Sequence, residues 1–470
     1  MLFNSYGFIF VFLPLCVFSY FFLTHRQLFR EAKLCIALGS LIFYAWWNPI
    51  YLPLIILSVL TNYHLAQRMI DFDHEIASTL SKKTLLRISL VFNVGLLCYF
   101  KYMDFLIENV NLLFGTELAL LHLTLPLAIS FFTLQQIAYL VDCYEGLVKE
   151  KSLLDYSLFV TFFPQLIAGP IVHHKEMMPQ FAEERDLEKN DRNIALGIFI
   201  FSIGLFKKVM IADHFAVWAT AGFDGTADLS FFSAWFTSLS YTFQLYFDFS
   251  GYTDMAIGAA YFFNIQLPQN FNSPYKATGM IDFWKRWHIT LTHFITTYIY
   301  TPIVRSFNKL NLHKAMFATV VTFLIAGLWH GASWMFVIFG VLNGIGIALN
   351  HYWQKKWRKT LKLKIHPIIA WFITFNFVNL TFVFFRSHNW QMAKRVLSGM
   401  TELSDLRLNL DKTQALFLVS GFIVTLYFSN TKERSDQFVP TKLNLLFTSL
   451  LLAISVLYLN KVSEFLYFNF

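Results

Sequence analysis

His330 is the residue of this 470-residue sequence whose surroundings best suit proton chemistry. From Ala315 to Gln354 the chain carries no Asp, Glu, Lys or Arg. Those 40 residues would make about 60 Å of helix, twice the roughly 30 Å hydrocarbon core of a bilayer. One straight helix is therefore excluded, and the natural break is Gly327, Leu328, Trp329, His330, Gly331, Ala332, Ser333, Trp334, where two glycines bracket the imidazole. One reading makes Gly327 and Gly331 a small-residue helix contact, with His330 hydrogen-bonded to a neighbouring helix. The other makes His330 a general base, because polar groups at membrane depth are costly, mark cavities or pathways, and imidazole accepts a proton near neutral pH. Spacing alone does not separate the two.

A second imidazole, His288, lies in the segment IDFWKRWHITLT at 281–292. Helical spacing predicts that it sits beside Trp284, Leu291 and Ile295. The pattern favours an amphipathic interfacial helix whose Lys285 and Arg286 reach lipid headgroups. The alternative is a second polar group at a site, with Lys285 one turn away disfavouring its protonation. Asp248 and Asp254 are six residues apart and so do not share one helical stripe. Either the helix breaks at Ser250 and Gly251, or the two acids have different partners, a structural pairing with cations or backbone amides being favoured. The segment from Phe162 to Val172, FFPQLIAGPIV, is apolar but broken by Pro and Gly, which fits a re-entrant loop lining a cavity or a loop buried against other helices.

Such residues need a scaffold, and composition says of what kind. The chain is 56% hydrophobic, 19% aromatic and only 14% charged, where a soluble domain is nearer a quarter charged. Apolar stretches near the length of a helical span recur near 6–24, 32–47, 50–66, 86–102, 120–142, 194–212, 231–247, 251–266, 315–329, 332–350, 367–386, 413–429 and 443–460. They are too long and insufficiently alternating for barrel strands. The expectation is an all-α, polytopic integral membrane protein forming a single domain over 1–470, with its motif-bearing core near 120–350 and C-terminal helices in 367–460. The first segment is expected to stay as a permanent span, because Thr24, His25 and Arg26 follow it rather than a small-residue cleavage site.

The longest polar stretch, Lys175 to Arg192, is too short for a soluble domain, and no phosphate-binding glycine motif or GxSxG is present. Whatever chemistry occurs belongs to the membrane. Cys16, Cys35, Cys98 and Cys143 are scattered singly, which argues against disulfides and against a zinc cluster. The net charge of +8 matches the excess of Lys and Arg expected in cytoplasmic loops. Lys355, Lys356, Arg358, Lys359, Lys362 and Lys364 are placed there beside anionic headgroups, as are Arg26, Arg30 and Lys33.

The motifs together resemble a family, the membrane-bound O-acyltransferases, in the bacterial branch of alginate O-acetylation and teichoic acid D-alanyl transfer proteins. The resemblance runs over nearly the whole chain: Phe43 to Trp47; Leu125 to Phe132 with Gln135, Tyr139 and Asp142; FFPQLIAGP at 162–170; YFDFSGYTDMAIG at 246–258; QNFNSPY at 269–275; DFWKRWH at 282–288; and GLWHGASW at 327–334. It implies a ring of transmembrane helices around a central tunnel, re-entrant segments, and two central histidines, here His330 and His288. Trp329, Trp284, Lys285, Arg286, Asp248, Asp254, Asn272 and Gln165 are the residues expected to bind substrate or to support them. It further implies an acyl thioester donor, acetyl-CoA or an acyl carrier protein, presented from the cytoplasm as co-substrate, with no bound cofactor and no metal. The acceptor is a hydroxyl of an exported polysaccharide or of a periplasmic partner. Membrane lipids, a periplasmic acetyltransferase and a polysaccharide synthase complex are the implied partners, nucleic acid is not, and the bacterial inner membrane is the implied location.

A thioester is already activated, so positioning an alcohol and removing its proton would suffice. In this reading His330 is the base, while His288 orients the acceptor or stabilises charge on the thioester oxygen. The chain departs from the branch after His288, where Thr296 and Thr297 replace a usual Arg-Asp pair, and at Lys285, where Arg is common. The first departure bears on the acceptor and its docking partner rather than on the reaction. Competing readings are D-alanyl transfer to teichoic acid, a transporter, which should show paired halves that this sequence lacks, and a non-catalytic subunit of an export complex.

Overall fold

The computed structural model describes residues 1–72, 80–182, 188–357, 360, 365–406, 410–459 and 465–466. Of the basic run, Lys355 and Lys356 fall within them, while Arg358, Lys359, Lys362 and Lys364 lie outside, as do residues 183–187 of the polar stretch. Among the described residues the secondary structure is helical throughout, with no strand. Among the described residues seven helices are long and apolar enough to cross a bilayer: α1 Phe8–His25, α2 Pro49–Asp71, α3 Lys82–Phe114, α4 Asp191–Asp224, α5 Leu312–His330, α6 Trp334–Lys356 and α7 Pro367–Arg386. Each overlaps one of the expected spans. The expected spans at 413–429 and 443–460 form the shorter helices Lys412–Leu426 and Lys442–Leu457, and Asn460 lies outside the described residues.

Two compact units are present: Met1–Ile203, Tyr252–Pro268 and Val439–Glu464 in the first, and Gly204–Gly251, Gln269–Phe438 and Phe465–Phe470 in the second. The first unit shows the polarity that lipid requires. Leu15, Phe18, Leu57 and Val91 point outward and are more than half exposed. Inside, Asn62 Nδ2 donates to Gln136 Oε1 at 2.9 Å and to Asn93 Oδ1 at 3.1 Å, Gln136 Nε2 donates to the Ser58 hydroxyl at 2.9 Å, and the Tyr156 hydroxyl donates to Gln136 Oε1 at 3.1 Å. With no hydrophobic drive between helices in hydrocarbon, such interhelical bonds and close packing hold the unit.

Three expected spans take another form. Only Ile129–Tyr144 of the 120–142 stretch is helical, and residues 115–126 carry no helix. Gly115, at φ 63°, ends α3, and Pro126 steers the residue before it away from helical backbone. The arm is held instead by Asp104, whose carboxylate accepts from the amides of Leu121 at 2.7 Å and His122 at 3.0 Å.

The expected pair at 231–247 and 251–266 is one continuous helix, α8, Phe231–Tyr261. Ser250 and Gly251 do not break it. A Cβ on Gly251 would lie 2.8 Å from the Gly204 carbonyl oxygen, and one on Gly258 would lie 2.7 Å from the Gly197 carbonyl oxygen. The glycines therefore let α8 approach α4 closely, the use small residues have between membrane helices.

The FFPQLIAGP segment is broken, as expected. The helix Leu153–Thr161 stops, a single turn Phe163–Leu166 follows, and Phe159 to Val172 are buried. Gly169 is required there, since a Cβ would meet Gln165 Cα at 2.5 Å.

Candidate active site

The second unit carries both expected histidines. His330 is the last residue of α5, and Gly331, extended at φ −168°, leads through Ala332 and Ser333 into α6. The break is where the overlong apolar run demanded one. The small-residue contact is present as well: a Cβ on Gly327 would meet the Phe336 carbonyl oxygen at 2.3 Å and Gly340 Cα at 2.9 Å. Gly327 thus clamps α5 onto α6, and the clamp fixes the turn that presents His330. The imidazole is buried, with ring centroids 4.9 Å from Trp329, 5.1 Å from Phe385 and 6.1 Å from Phe339.

His288 is not on a continuous amphipathic helix. The helix Met280–Trp284 ends, and His288 adopts φ 43°, ψ 56° immediately before the helix α9, Ile289–Ile295. Left-handed backbone on a non-glycine residue costs about 1–3 kcal/mol and persists only where its surroundings impose it. Its side chain is fully buried. Phe249 packs edge-on at 4.8 Å and Trp329 lies 6.3 Å away. Burial among these uncharged groups pushes the imidazole down to about 3, which leaves it neutral.

Trp329 therefore flanks both imidazoles, and the structure brings these three expected residues together. Trp284 is close by in the same packing, donating from Nε1 to Asn343 Oδ1 at 3.2 Å. The other expected residues have different neighbours. Lys285 is exposed. Arg286 binds Asp282 at 2.8 Å and the Asn272 carbonyl at 3.3 Å, and Asn272 Oδ1 accepts from Asn430 at 2.9 Å. Asp248 pairs with Lys208 at 2.6 Å, although its neighbour Phe249 touches His288. Asp254 and Gln165 belong to the first unit, both buried, with Gln165 Nε2 donating to the Phe159 carbonyl at 2.6 Å.

Two groups were not expected. Asn270, fully buried, stands at the turn before α9: its carbonyl accepts from Ile289 N at 3.0 Å, and its Oδ1 accepts from the Thr290 hydroxyl at 2.6 Å and from Thr290 N at 3.3 Å, with His288 Nδ1 also at 3.3 Å. The signal was the QNFNSPY motif, from which Asn272 was singled out instead. In the first unit, one donor atom each from Asp142, His173 and His174 fall within 4.8 Å of one another, a set that could hold a metal ion. Asp142 Oδ2 is 2.8 Å from His173 Nε2 and 3.2 Å from His174 Nδ1. Tetrahedral zinc would spread its ligand atoms to about 3.3 Å, so the shorter distance is that of a hydrogen bond. The signal for it was the His173-His174 doublet directly after GPIV.

A buried neutral imidazole facing apolar rings, sharing Trp329 as a neighbour with a second buried imidazole at a helix break, can accept a proton or a hydrogen bond away from bulk water. The model of the family described as MBOAT, membrane-bound O-acyltransferase, matches residues 76–393. A peptidoglycan O-acetyltransferase of Helicobacter pylori is 45% identical, over 100% of this chain and 98% of its own length. A probable alginate O-acetylase of Pseudomonas aeruginosa is 34% identical over 94% of this chain and 84% of its own, and a teichoic acid D-alanyltransferase of Streptococcus thermophilus is 28% identical over 55% and 68%. The chain is a multi-pass membrane acyltransferase and belongs to the membrane-bound O-acyltransferase family.

Proposed function

We propose that the protein acetylates a hydroxyl of an exported cell-wall glycan of the peptidoglycan kind, drawing the acetyl group from a thioester presented at the cytoplasmic face of a bacterial inner membrane. The observation that carries this reading is the pair of buried imidazoles, His288 and His330, each at a backbone break and both flanked by Trp329. The choice of acceptor rests on likeness to the Helicobacter pylori protein along the full length of both chains.

In the proposed step His330 takes the proton of the acceptor hydroxyl, the hydroxyl oxygen forms a bond to the acyl carbon, and the carbon–sulfur bond of the thioester breaks. The proton then leaves with the thiolate as thiol. His288 orients the hydroxyl. The thioester is acetyl-CoA or an acetylated carrier protein acting as co-substrate, and transfer runs to the glycan directly or through a periplasmic acetyltransferase partner. Holding both reactants in line lowers the barrier to attack on a thioester that is already activated.

The test replaces His330 with Ala in the producing cell, checks by immunoblot that the membrane level is unchanged, and measures base-released acetate on purified peptidoglycan. Acetate falling to the level of a gene deletion is expected, and acetate at the wild-type level overturns the assignment.

A further inference from the structure

The notion that His288 orients a hydroxyl competes with the notion that it donates a hydrogen bond to the thioester oxygen. The ring must carry a proton on Nε2 for the second and must lack it there for the first. Its neighbour decides. The amide of Thr290 is a backbone N–H and can only donate, so the Asn270 atom it meets is the oxygen and not the NH2 group. The Thr290 hydroxyl reaches the same oxygen at 2.6 Å. An oxygen facing His288 Nδ1 at 3.3 Å requires the proton on Nδ1. The neutral ring then has a bare lone pair on Nε2, which is buried and has no hydrogen-bond partner among the described residues.

We infer that Asn270 is a positioning residue that locks His288 as the Nδ1-protonated neutral tautomer, so that Nε2 presents a fixed hydrogen-bond acceptor to the incoming hydroxyl. The same residue supports the backbone that makes this possible. No side chain caps α9 locally, and its first amides would be orphaned beside the left-handed His288. Asn270 accepts from two of them, Ile289 and Thr290, and so holds the strained residue in place. The buried Nδ2 of Asn270 likewise has no hydrogen-bond partner among the described residues. The catalytic use of Nε2 rests on the reading proposed above, whereas the tautomer does not.

The experiment is ring-nitrogen NMR of the full chain, purified with 15N-labelled histidine in nanodiscs, with the His288 signals identified by their absence in His288→Gln. Bare Nε2 and protonated Nδ1 are expected in the wild type. Asn270→Asp keeps the acceptor oxygen and should keep that pattern, and Asn270→Leu removes the acceptor and should move the proton to Nε2. Base-released acetate should fall about 100-fold in Asn270→Leu, the scale of a wrongly held or wrongly protonated imidazole, and recover to within about tenfold of wild type in Asn270→Asp. A wild-type ring protonated on Nε2, or a pattern unchanged in Asn270→Leu, overturns the inference. Should Asn270→Leu fail to fold, the wild-type and Asn270→Asp spectra still decide it. Protonated Nδ1 in a wild-type protein that releases no acetate would sustain the tautomer and refute the acetylation reading alone.

Discussion

Lys208 Nζ lies 2.6 Å from Asp248 Oδ1, and each side chain is no more than 3% exposed. The same ammonium is 2.8 Å from Asp213 Oδ1, and Asp248 Oδ2 accepts from the Leu466 amide at 3.1 Å. Asp248 is thereby committed to holding its stretch of α8, whose next residue, Phe249, packs against the His288 ring. An ion pair this deep is retained by mutual need, because either charge alone would be stranded away from water.

Lys208→Met should therefore cost about 3–5 kcal/mol of stability, since it leaves Asp248 buried and unpaired. Adding Asp248→Asn should restore part of that loss, because the stranded charge is then gone. Chemical or thermal unfolding of the detergent-solubilised proteins reads both effects. A single variant as stable as the wild type would show that the pair holds nothing.

Glycines in this chain call for opposite expectations that burial alone does not give. Gly327→Ala places a Cβ 2.3 Å from the Phe336 carbonyl oxygen, a backbone atom that cannot swing aside, so the α5–α6 hairpin must open. The expected loss is about 1–3 kcal/mol, together with acetylation, because His330 sits three residues on. Gly95→Ala is the same chemical change within α3, where nothing lies within 4 Å of the new atom. It should stabilise by up to about 1 kcal/mol through helix propensity. Unfolding of the two variants side by side checks the contrast, and equal effects would mean that the hairpin is not closely packed.

The site was legible where the sequence itself carried the contradiction. An uncharged run too long for one span forces a break, and the glycines around His330 say where it falls. The helix Pro367–Arg386 is similarly plain, with Pro at its first position and a charge at its end. His288 was not legible, because 281–292 holds no Gly or Pro and is periodic enough to pass as one helix. Its break depends on Asn270, 18 residues earlier in the chain, and a long-range hydrogen bond leaves no local mark. The sequence left open whether α8 breaks at Ser250 and Gly251 for a related reason. A glycine that ends helices in water instead marks close helix approach in a membrane, and only the partner, Gly204 in α4, tells the two uses apart.

The buried His288, which lies outside the seven apolar helices, also predicts how stability depends on pH. Its imidazole is pushed by burial from an ordinary value near 6.5 to about 3, while Phe249, Trp329 and Asn270 around it bring no charge. Between those values the unfolded chain binds a proton that the folded chain does not, so stability rises with pH through the window and is complete above about 6.5. As pH falls from there toward 3, this one group should remove up to about 1.4 kcal/mol per pH unit. His288→Gln lacks the proton in both states, so its stability should fall less steeply by that amount, the remaining histidines contributing equally to both proteins. Melting of the two proteins across pH 4 to 8 gives the comparison, and parallel curves would mean that the folded state protonates His288 as readily as the unfolded chain does.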